Sequence, residues 1–175
     1  MTITTTPITI TPATMPATTR RLIIRDAGFA AQSLADGAIV ARGFGNFYVI
    51  TTRADAETVR RVNLMKGRPP GQVGSITGPP SAIPDVWDFD QLPDGLTRRQ
   101  VLRLIDTFFE LGPFGFRGPA ASHVPAHLTF PDGEISTAQV IAPGYACPSN
   151  DFLRRSLRAS GDRCSTSPRR TAPGT

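Results

Sequence analysis

The run Asp55-Ala56-Glu57-Thr58-Val59-Arg60-Arg61-Val62-Asn63-Leu64-Met65-Lys66-Gly67-Arg68-Pro69 has two parts. The first reads as a helix. Asp55 is a good N-cap, because its carboxylate can accept from the unpaired amides of a first turn. Val59, Val62 and Met65 then recur on one face at helical spacing, with Arg60 and Arg61 on the other. The second part, read as extended, sets Lys66 and Arg68 two residues apart and so on one side of the chain. A compact ammonium beside a rigid planar guanidinium suits a polyphosphate, one bridging oxygens and the other gripping a phosphate through two parallel bonds.

Of the nineteen fixed positive charges in the 175 residues, eighteen are arginine, and Lys66 is the only lysine. Two explanations stay open: a lysine kept for its chemistry, or one left by chance where GC-rich codons favour arginine. The net charge of +5 and pI near 10.2 would ordinarily point to nucleic acid. Six arginines at 154, 155, 158, 163, 169 and 170 face a single acid there, Asp162, so the first 153 residues are formally neutral. The basicity belongs to the C-terminal end, and pI alone is a weak case for RNA.

No apolar run approaches the roughly 20 residues of a membrane span, and the N-terminus lacks the basic start and apolar centre of a secretory signal, so the cytoplasm is expected. Cys147 and Cys164 have no Cys-x-x-Cys spacing and only His123 and His127 for company, so no metal site is expected.

Working outward from the central run, residues 1–19 are mostly threonine, proline and alanine and are expected as a disordered leader. Residues 21–25 read as a short strand and 27–34 as a helix. Strands are expected at 38–41 and 47–51 around a glycine-rich turn at 42–46. A short apolar piece at 73–76 precedes a proline-rich loop running to Pro93. Thr97-Arg98-Arg99-Gln100 fits a capping box, and Val101, Leu102, Leu104, Ile105, Phe108 and Phe109 follow at helical spacing until Gly112-Pro113. Further strands are expected at 114–117, 128–130 and 139–141. Pro148-Ser149-Asn150 is expected to cap a last helix carrying Phe152, Leu153 and Leu157 and ending at Gly161. Alternating strands and helices predict one mixed α/β (α+β) domain over 20–162.

Several of these residues resemble a known family, the YrdC/TsaC-type threonylcarbamoyl-AMP synthases. The strand Gly37-Ala38-Ile39-Val40-Ala41, then Ala54-Asp55-Ala56, a helix and Lys66-Gly67-Arg68-Pro69 match its order of motifs, and Gly115-Phe116-Arg117-Gly118-Pro119 is similar to a later family strand. The likeness spans roughly residues 34–160, and only Lys66-x-Arg68-Pro69 is specific. Between the first two motifs, the loop Gly43-Phe44-Gly45-Asn46-Phe47-Tyr48-Val49-Ile50 keeps only the family's tyrosine. The hydroxyls and carboxylate that line the family's threonine pocket are missing, so the chain resembles a divergent branch.

The family's second signature, Ser-x-Asn on a late strand, is not matched by Ser149-Asn150. One set of codons for Cys164 to Thr175, read one base earlier, gives an apolar strand ending in Ser-Ala-Asn. Residues 163–175 are expected to be a disordered tail, and two readings stay open: an ordinary basic tail, or an out-of-frame one that leaves the domain incomplete at its C-terminal side and its activity reduced or lost.

The resemblance implies a YrdC-like twisted open mixed sheet with flanking helices. It also implies a nucleotidyl transfer in which L-threonine, bicarbonate and ATP give threonylcarbamoyl-AMP and pyrophosphate for tRNA modification. On it, Lys66, Arg68 and Arg117 would contact nucleotide phosphates with Mg²⁺ bridging them, and Tyr48 and Asn46 would touch substrate. It leaves an alternative, a non-catalytic module that binds double-stranded RNA or tRNA through Arg60, Arg61, Lys66 and Arg68.

Overall fold

The computed structural model describes residues 17–45 and 47–160. The expected tail at 163–175, most of the expected leader and Asn46 lie outside them.

Helix α1 runs Ala17–Ala35 and corrects the sequence twice. It begins inside the stretch expected as a leader, and it absorbs residues 21–25, expected as a strand. The β-branched pair Ile23 and Ile24 favours a strand only weakly, and tertiary packing overrides it. Ala27, Ala31 and Leu34, at helical spacing, are buried against Phe152 and Leu153 of α4, Ser149–Ser160.

Strands β1, Val40–Phe44, and β2, Phe47–Thr51, pair as an antiparallel hairpin from Val40↔Thr51 to Phe44↔Phe47. β2 lies where the sequence placed it. β1 runs later than expected and takes in Arg42 to Phe44, because Phe44 is fully buried and holds that stretch extended. Helix α2, Ala56–Met65, starts on the Asp55 cap, whose carboxylate accepts from the Thr58 amide at 2.9 Å.

A second, four-stranded sheet is mixed and open. Its centre is β6, Ile135–Ala142, with β4, Phe114–Pro119, antiparallel on one side. On the other lie β3, Ile76–Thr77, parallel to it, and β5, Phe130–Asp132, antiparallel. The proline-rich loop holds two short 3₁₀ turns, Pro80–Asp85 and Phe89–Gln91, and residues 126–128 form a third where a strand was expected to start.

Helix α3, Arg98–Leu111, carries the complete capping box between Thr97 and Gln100. Its Ile105 and Phe109 pack on the β6 face that presents Ala138, Val140 and Ala142. Trp87 joins this core and donates its indole N–H to the Ala138 carbonyl at 3.1 Å, which satisfies a polar atom that burial would otherwise penalise. The opposite face of β6 carries Gln139 and Ile141, and the candidate site lies there.

Ser149 and Asn150, expected as helix caps, act as donors to carbonyls. The Ser149 hydroxyl donates to the Gly43 carbonyl, and Asn150 Nδ2 donates to the Gly144 and Tyr145 carbonyls at 3.0 and 3.3 Å. They tie the start of α4 to β1 and to the loop before it. Among the described residues, no helix is long and apolar enough to cross a membrane.

Candidate functional site

A cavity of about 250 Å³ opens between the hairpin, α2 and the β3–β6 edge. Thr77 and Ile141, partners in the β3–β6 register, lie on its strand side, and Thr51 and Thr52 enter from the end of β2. Val59, Val62 and Asn63 present the α2 wall, and Lys66, Arg68 and Arg53 supply positive charge. No carboxylate is among its described lining residues.

Lys66 and Arg68 reach this cavity by a different local structure from the extended one expected. Lys66 is the C-cap of α2, and Gly67 has φ +64°. The Gly67 amide donates to the Leu64 carbonyl at 3.0 Å and the Arg68 amide to the Asn63 carbonyl at 2.9 Å. This double bond pattern is a Schellman turn, which satisfies the last helical carbonyls and needs a left-handed residue at its hinge. Glycine in Lys66-Gly67-Arg68 supplies it without a Cβ penalty. The turn places both cations at the helix C-terminus, the end whose partial charge is negative.

Burial lowers the Lys66 pKa, and the positive charge of Arg68 lowers it further. The two cations are therefore close enough to repel each other, and no described carboxylate forms an ion pair with either. Such a pair is stabilised by an anion.

Asn63 holds this arrangement. It is buried on the apolar stripe of α2, and its Nδ2 donates to the Pro70 and Gln72 carbonyls at 3.2 and 2.7 Å. Its backbone and side chain together brace residues 66–72. The sequence signal for it was an amide at position 63, four residues after Val59, where the helix stripe calls for an apolar side chain. His127 donates from Nε2 to the Ala54 carbonyl at 2.6 Å and ties the chain before α2 to the 3₁₀ turn at 126–128.

The other expected site residues scatter. Tyr48 lines the cavity from β2 and is 86% exposed, so it stands at the mouth. Arg117 is not at the cavity. It shares the open face of the second sheet with its partner Gln139, and its guanidinium lies over the Phe130 ring at 4.1 Å, a cation–π contact that explains its position. The cations proposed for RNA are partly engaged: Arg60 makes two 2.9 Å bonds to Glu57, and Arg61 reaches the Gly37 carbonyl at 3.4 Å. The described lining residues offer a magnesium ion hydroxyl oxygens but no carboxylate. Arg53, Thr51, Thr52 and Thr77 were not singled out in the sequence, because Thr-Thr-Arg is common and only the fold brings these residues to one cavity.

The fold defines a class: it is an open mixed α+β domain of YrdC-like fold. A solved structure, the crystal structure of P. abyssi Sua5 complexed with L-threonine, is similar to it, with a TM-score of 0.57 and 19% sequence identity. The match covers 79% of this chain and 37% of that one, so the chain spans little more than a third of the length of the structure it resembles. No family model and no curated protein matches the sequence. At this identity the likeness establishes the fold.

Proposed function

We propose that the cavity binds the phosphates of a nucleoside triphosphate and that the domain carries out threonylcarbamoyl-AMP synthase-type nucleotidyl transfer. The observation that carries this is the Lys66–Arg68 pair, set by the Schellman turn at one cavity whose described lining holds no carboxylate. The fold likeness to Sua5, crystallised with L-threonine, supports the choice of reaction. A volume of about 250 Å³ is below the roughly 300–1,000 Å³ usual for small-molecule pockets. It suits the phosphates, with the nucleoside lying outside.

In this reaction the threonine amine and bicarbonate combine with loss of water to give an N-carboxylate. One oxygen of that carboxylate attacks the α-phosphorus, the bond to the bridging oxygen breaks, and pyrophosphate leaves with the electron pair. Negative charge builds on the departing pyrophosphate, and fixed cations already in place stabilise it at no cost in reorganisation. Lys66 and Arg68 fill that role here. The ammonium can follow the moving charge, while the guanidinium holds one phosphate in a fixed orientation.

The test is pyrophosphate release from labelled ATP in the presence of threonine and bicarbonate. Lys66→Ala should lower the rate by about 10²-fold or more, the usual scale for removing a charge-stabilising group. Release that survives Lys66→Ala at full rate would remove the proposed role. Salt-dependent binding of double-stranded RNA by a chain that releases no pyrophosphate would instead favour the RNA-binding alternative.

A further inference from the structure

Another cation lies beside the cavity without lining it. Arg42, on β1, is half-buried with its guanidinium between two aromatic rings, 5.0 Å from the centre of Phe44 and 5.0 Å from that of Phe152. Its Nε donates to Thr51 Oγ1 at 3.0 Å and its Nη2 to Thr77 Oγ1 at 3.2 Å. Its Nη1 is buried and has no hydrogen-bond partner. No described carboxylate forms an ion pair with it. Burial lowers its pKa to about 10, opposed by the interaction with Cys147, so it keeps its charge at neutral pH.

A strand that needed only packing at this position would carry an apolar residue, since a buried charge without a counter-charge is costly. The two hydroxyls that accept from Arg42 belong to threonines that line the cavity. A hydroxyl accepting from a cation is polarised and becomes a stronger donor through its own hydrogen. We propose that Arg42 is a positioning residue for an anion in this cavity, acting through Thr51. The cavity would then be electropositive from two sides, with Lys66 and Arg68 on the α2 wall and the Thr51 hydroxyl polarised by Arg42 on the strand side. Its ligand class is a compact polyanion. This rests on the cavity being an anion site and deepens the triphosphate assignment by adding a second group of contacts.

The test titrates inorganic tripolyphosphate into the full chain by calorimetry and measures thermal stability with and without sulfate. Arg42→Met should weaken tripolyphosphate binding about tenfold and abolish the extra rise in melting temperature that millimolar sulfate, compared with chloride at equal ionic strength, gives the unmodified chain. Arg42→Lys should recover part of the affinity. Thr51→Val, which removes one hydroxyl at nearly constant volume, should cost several-fold. A purely structural Arg42 would lower melting temperature and leave affinity within twofold, and that result overturns the proposal.

If Lys66→Ala abolishes binding while Arg42→Met does not, the proposal falls and the triphosphate assignment stands. If tripolyphosphate does not bind but sulfate stabilises the unmodified chain and not Arg42→Met, the assignment falls and the proposal stands. Absence of any anion effect overturns both. Should Arg42→Met fail to fold, Arg42→Lys and Thr51→Val decide: unchanged affinity in both overturns the proposal.

Discussion

At the scale of single residues, Gly67 decides where the two cations go. Its φ of +64° is open to glycine, and a Cβ there would meet nothing within 4 Å, so substitution costs conformational energy alone. Gly67→Ala should destabilise the fold by about 1–2 kcal/mol, the cost of a left-handed alanine. It should also weaken polyphosphate binding, because Lys66 and Arg68 flank the altered hinge. Chemical denaturation and calorimetry on the same sample would check both, and an unchanged midpoint would mean that the turn is not under this constraint. Lys66 itself adds a pH dependence. Its pKa in the folded chain is below the ordinary 10.5, through burial and then Arg68. The folded chain therefore sheds this proton before the unfolded chain does, and fold stability gains from this group as pH rises between the lowered value and 10.5. Anion affinity moves the opposite way, since a neutral amine no longer holds phosphate. Tripolyphosphate binding should weaken on the alkaline side before an ordinary lysine would lose its charge, whereas Lys66→Arg should stay flat over the same range.

At the scale of elements, the capping box of α3, the Asp55 cap of α2 and strand β2 were legible in the sequence because each is specified by neighbours within a few residues. Residues 21–25 were not. Their local preference for a strand loses to the packing of Ala27, Ala31 and Leu34 on α4, more than 110 residues away in the chain. The join between α3 and the loop before α4 is likewise invisible locally. The Tyr145 amide donates to the Phe109 carbonyl at 2.9 Å, and a Cβ on Gly144 would lie 2.7 Å from Gly112 Cα and 2.8 Å from its carbonyl carbon. Those are backbone atoms that cannot rotate away. Gly144→Ala should therefore cost about 1–3 kcal/mol, as overpacking does, and thermal unfolding would show it as a lower midpoint. A neutral result would mean that the two segments can separate freely.

At the scale of the whole molecule, the two sheets differ in how they are held. β6 has partners on both sides and a buried face, whereas the hairpin is two strands with Phe47, Tyr48 and Ile50 exposed. Two-stranded hairpins are marginal by themselves. Amide hydrogen exchange should be slowest in β6 and faster in the hairpin, reflecting local opening. Tripolyphosphate should slow exchange in the hairpin selectively, because Thr51 and Thr52 line the cavity. Equal protection in both sheets would contradict this division. The sequence alone determined the mixed α+β class, the helix that leads to Lys66, and the Lys66–Arg68 pair, because caps, helical period and motif spacing act over a few residues. The turn at Gly67 is closed within residues 63–68 and is local, although the sequence reads as extended there. Tertiary structure alone decided that Arg117 stacks on Phe130 away from the cavity and that Arg42 lies beside it. These depend on which distant strands pair, and the free energy of that pairing is shared among residues far apart in the chain, where no local pattern records it.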